Sequence, residues 1–154
     1  MAQNQAIVGF SDSAVAAPLV LSATTLGRTL VYAVWLSAAA PATVVDSAGG
    51  TLAGGQWVSS GLTGPWYVYY RLNAPAGITS VTSTFTASGF LAYCCERDDI
   101  TSFDKIGTVS DSGGAVSSWS SGSSGTLSFA NEVCLGFAAT FTGATQGPAA
   151  SGAW

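Results

Sequence analysis

Histidine is absent from this chain of 154 residues, and with it go the commonest general base at neutral pH and the commonest metal ligand. A serine or cysteine nucleophile would need Lys105 or a carboxylate as its base. Charge is scarce as well. Charged residues make up 8% of the chain, where ordinary domains carry roughly 25%. Four basic residues and a net charge of −4 argue against nucleic-acid binding, which requires Lys and Arg to neutralise phosphates. No glycine-rich segment leads into a helix, as a phosphate-binding loop must. Long apolar runs are missing too: Leu30–Leu36, LVYAVWL, is too short to cross a bilayer. The opening MAQNQAIVGF lacks the charged and apolar regions of a secretory leader. The expectation is a soluble protein made in the cytoplasm, with no cofactor, no metal, no membrane and no nucleic-acid partner.

Three cysteines are present, Cys94, Cys95 and Cys134, and an odd count completes no disulfide framework. Cys94 and Cys95 are adjacent in an apparent strand, so their side chains point to opposite faces and only one of them can meet Cys134. The expectation is three small, buried, reduced thiols, suited to a reducing compartment.

What the chain does have is apolar and hydroxyl-bearing residues. Hydrophobic residues supply 48%, and Ser, Thr and Gly much of the rest. Solubility must rest on hydroxyls and exposed backbone, or else other subunits cover much of the surface. The length suits one domain with a real core, taken as residues 1–141 with a small, polar tail over 142–154.

Helical periodicity is scarce, and short apolar runs are divided by Gly, Pro, Ser and Asn. The clearest stretch is Trp66 to Thr86, WYVYYRLNAPAGITSVTSTFT. It reads as a hairpin around Pro75-Ala76-Gly77. Trp66, Val68, Tyr70 and Leu72 alternate with Tyr67, Tyr69 and Arg71, and Val81 and Phe85 with Ser80, Thr82, Thr84 and Thr86. Further strands are expected at Ala6–Phe10, Pro18–Ser22, Leu30–Leu36, Thr43–Asp46, Gln56–Ser59, Phe90–Glu96, Gly125–Phe129 and Glu132–Thr142. Leu30–Leu36 is apolar on both faces, as a central strand covered on both sides would be. Many short strands with frequent turns predict an all-β antiparallel sandwich or barrel.

The sites legible in this pattern are few. Glu96, Asp98, Asp99 and Asp104 form the one acidic group, interleaved with Arg97 and Lys105, and its spacing fits a solvated loop with local ion pairs better than a calcium loop. Trp57, Trp66, Tyr67 and Tyr69 offer an aromatic platform for stacking on sugar, although alternation sends half of such residues to the core. Arg97–Ser124 reads as an irregular region ending in Ser/Gly-rich sequence, and Trp119 within it is a candidate contact.

Three segments together resemble a known family. Val45-Asp46-Ser47-Ala48-Gly49-Gly50-Thr51 is close to a TDS-x-GN-T turn. Tyr69-Tyr70-Arg71-Leu72-Asn73-Ala74-Pro75-Ala76-Gly77 is followed by a Ser/Thr-rich strand ending Thr84-Phe85-Thr86. Ser121–Phe137, SGSSGTLSFANEVCLGF, is similar to an SG-x-x-T-T-x-A-x-NDLV-x-GF block. In this order they resemble β-sandwich domains of bacteriophage structural proteins and large bacterial surface proteins, over about Ala6 to Phe141. The chain departs from the pattern at Tyr93-Cys94-Cys95-Glu96-Arg97-Asp98, where the family has hEYSG. Family members also continue with further strands beyond the position of Trp154, so the expectation is a smaller sandwich or one completed by another subunit.

The resemblance implies a jelly-roll-like or immunoglobulin-like sandwich. It also implies a non-enzymatic virion protein: a capsid decoration or minor capsid protein that stabilises the shell, or a minor tail protein. Partners would be the major capsid protein or other virion proteins, and further copies of the chain as a homo-oligomer. Trp35, Trp119 and Trp154 are the candidate partner contacts. The rival from another class is a carbohydrate-binding or adhesion module using Trp57, Tyr67 and Tyr69.

Overall fold

In the computed structural model the residues described are 3–11, 16–36, 43–56, 66–84 and 90–104, with positions 126, 128 and 135. They form eight strands and, among the described residues, no helix: β1 (Gln3–Ser11), β2 (Ala16–Val20), β3 (Arg28–Leu36), β4 (Thr43–Asp46), β5 (Ala53–Gln56), β6 (Trp66–Ala74), β7 (Ser80–Thr84) and β8 (Phe90–Arg97). The all-β class expected from the sequence is therefore present. All pairings are antiparallel. One sheet has five strands in the order β1-β8-β3-β6-β5 and the other three in the order β2-β7-β4.

Side-chain alternation builds the core between the sheets. From the five-stranded sheet come Leu30, Tyr32 and Val34 of β3, Tyr67 of β6, and Ala92 and Cys94 of β8; from the other come Leu19, Val44 and Val81. The opposite face of the five-stranded sheet is buried as well. There Val31, Tyr93 and Cys95 pack with Val68, Ile100 and Leu135, beside Ala33 and Leu91. β3 is thus buried on both faces by its own chain, which is why its sequence is apolar without alternation.

The turn at Pro75-Ala76-Gly77 forms, but β6 and β7 are not a hairpin. β6 belongs to the five-stranded sheet and β7 to the three-stranded sheet, so the chain crosses between them there. Thr24, in the β2–β3 connection, holds the crossing. Its hydroxyl donates to the Pro75 carbonyl (2.9 Å) and accepts from the Ile78 amide (3.0 Å). Its backbone amide donates to the Ile78 carbonyl at 3.0 Å, and its carbonyl accepts from Gly77 at 2.9 Å. Gly77 has φ +85°, where glycine alone is free of strain.

Of the strand expected at Gln56–Ser59, positions 57–59 lie outside the described residues; a strand runs over Ala53–Gln56. Sequence there has no β-branched residue, and placement is decided by close approach. A methyl group on Gly54 would stand 2.5 Å from the Val68 carbonyl oxygen and the Tyr69 ring. The strands expected at Gly125–Phe129 and Glu132–Thr142, the Ser/Gly-rich segment and the tail lie outside the described residues, apart from the single positions named above.

Candidate interaction surface

The exposed face of the three-stranded sheet is where this chain presents a regular, uncharged surface. On β7, Val81 and Ser83 point inward and Ser80, Thr82 and Thr84 outward. Register places Pro18 and Val45 on either side of Thr82, and Ala16 and Thr43 on either side of Thr84. Val20 lies beside Ser80 and is 70% exposed, and Val45 is 37% exposed. Among the described residues the face therefore mixes hydroxyls with apolar side chains and carries no charge.

Both edges of this sheet are blunted. Leu21 donates its amide to the Thr79 carbonyl (2.8 Å), so Leu19 and Ala17, at steps of two, also direct their backbone groups to β7. Val20, Pro18 and Ala16 direct theirs away from β7, and Pro18 has no N–H to offer there. On the other edge the chain turns back on β4. Val45 bridges to Thr51, the Leu52 amide donates to the Val44 carbonyl (3.0 Å) and the Asp46 amide to the Gly50 carbonyl (2.9 Å).

The turn after β4 is locked from inside. The Asp46 side chain is fully buried and accepts from the amides of Ala48 (2.9 Å) and Gly50 (3.0 Å). It also pairs with the Arg71 guanidinium reaching across from β6. Ser47 continues the lock, its hydroxyl accepting from the Thr79 amide at 2.8 Å.

The acidic group expected near β8 is dispersed. Glu96 is buried, not solvated. Its carboxylate accepts from the Thr25 amide (2.8 Å) and from the Gln5 side-chain amide (3.0 Å). Gln5 also pairs with the Ser22 backbone at 2.8 Å in both directions, so one side chain ties β1 to the β2–β3 connection. Asp99 makes a local two-point pair with Arg97, at 2.8 and 2.6 Å. That hydrogen bonding holds the Asp99 carboxyl below its ordinary range. Asp98 is exposed, and Asp104 accepts from the Ser128 amide at 3.1 Å. Among the described residues no three ligand-type side chains gather as a metal site. Lys105 lies outside them.

The aromatic platform does not form as expected. Tyr67 is buried in the core and Tyr69 is half-buried against it, because their shared face of β6 points between the sheets. Trp57 lies outside the described residues. Trp35, proposed as a partner contact, is half-buried beside Ala33 and Leu91 on the outer side of β3; Trp119 and Trp154 lie outside the described residues. Alternation did not single out the aromatic pair on the outer face of β6. Tyr70 stacks on Phe103, with centroids 5.1 Å apart and planes 8° from parallel.

The cysteines in β8 behave as core residues. Cys94 faces the inter-sheet core and Cys95 the outer cluster, and both are free thiols. Burial pushes the Cys94 thiol far up and that of Cys95 to about 11, which removes the nucleophilic thiolate at neutral pH. No helix among the described residues is long and apolar enough to cross a membrane. Compared with protein-family models, with curated proteins and with solved structures, the chain matches none of them.

Proposed function

We propose that this chain is a non-enzymatic structural protein of a bacteriophage virion, a capsid decoration or minor capsid protein that binds and stabilises the shell. In this reading the two sheets are a β-sandwich of the jelly-roll or immunoglobulin type, made in the host cytoplasm and carried on the particle. The observation that carries the proposal is the uncharged, hydroxyl-rich outer face of β2, β7 and β4, presented by a sheet with blunted edges. Such a face buries against a protein surface without the desolvation cost of charges. Repetition of one modest contact around a symmetric shell multiplies its strength. The motif resemblance supplies the particle as the setting. The buried or half-buried positions of Tyr67 and Tyr69 remove the main support for the carbohydrate-binding alternative.

The test is to incubate the purified protein with particles of its source that lack it, and then pellet them. Saturable co-sedimentation, with particles made more resistant to heat, is the expected result. A stable monomer that ignores particles and is retained on a glycan column would overturn the proposal.

A further inference from the structure

We draw no further inference here: the strongest candidate, the exposed Leu26 in the β2–β3 connection, whose Thr24 and Gly27 amides bond to the Ile78 and Ala74 carbonyls, is an apolar surface position, and nothing in the structure shows what covers it.

Discussion

A hydroxyl pair buried between the sheets shows how much of this protein's specificity is carried by neutral groups. Tyr32 and Ser83 meet at 2.6 Å, both within the core, and burial lifts the Tyr32 phenol well above its ordinary range. Removing either partner leaves the other buried without that bond, at a cost of about 1–3 kcal/mol. Tyr32→Phe and Ser83→Ala are each expected to lower the free energy of unfolding by that amount in urea titrations. The double variant should lose less than the sum of the two. Additive losses would show that the pair is not coupled. The two thiols of β8 give a second test at this scale. The ordinary thiol value is 9.0 and burial raises Cys95 to about 11, so the unfolded chain gives up its proton first as pH rises. Stability is then fully present below pH 9 and declines above it, by up to about 1.4 kcal/mol per pH unit for each thiol. Urea midpoints should be flat from pH 7 to 8 and fall between pH 9 and 10, and Cys95→Ala should make the fall shallower.

Strands were legible in the sequence where alternation or continuous apolar character marks them, and their partners were not. β3, β4, β6 and β8 lie where the pattern of branched and aromatic residues places them, because a half-buried or fully buried strand leaves that pattern in any fold. The misread hairpin at Trp66–Thr86 had the right turn and the wrong pairing. The groups that settle it are the hydroxyl and backbone of Thr24, about fifty residues away, and no local pattern encodes that reach. The start of β5 at Ala53 was not legible for a related reason, since Gly54 lies closely against Val68 and Tyr69 of β6. Gly54→Ala is expected to cost roughly 1–3 kcal/mol by overpacking against the β6 backbone, measured by thermal or urea unfolding; a loss below about 0.5 kcal/mol would show that β5 moves freely. The candidate surface was half legible. The Ser/Thr periodicity of β7 is plain in the sequence. That Arg71 turns inward to Asp46, with Tyr67 and Tyr69 beside it, is decided by which face of β6 the second sheet covers.

At the scale of the whole molecule, among the described residues Asp46 pairs with Arg71 between the sheets and Arg97 with Asp99 beside β8, and the residues of the three-stranded sheet that face outward are uncharged. If adhesion to a particle rests on that face, the contact is made by apolar and hydroxyl groups, and salt has little to screen. Binding through charged patches behaves oppositely, weakening as ionic strength rises. Co-sedimentation with particles, repeated from low to high sodium chloride, is therefore the most direct measurement. The account predicts saturable binding whose affinity is unchanged, or slightly stronger, as salt increases. Binding that collapses with salt, or particles that pellet without the protein at every concentration, would contradict it.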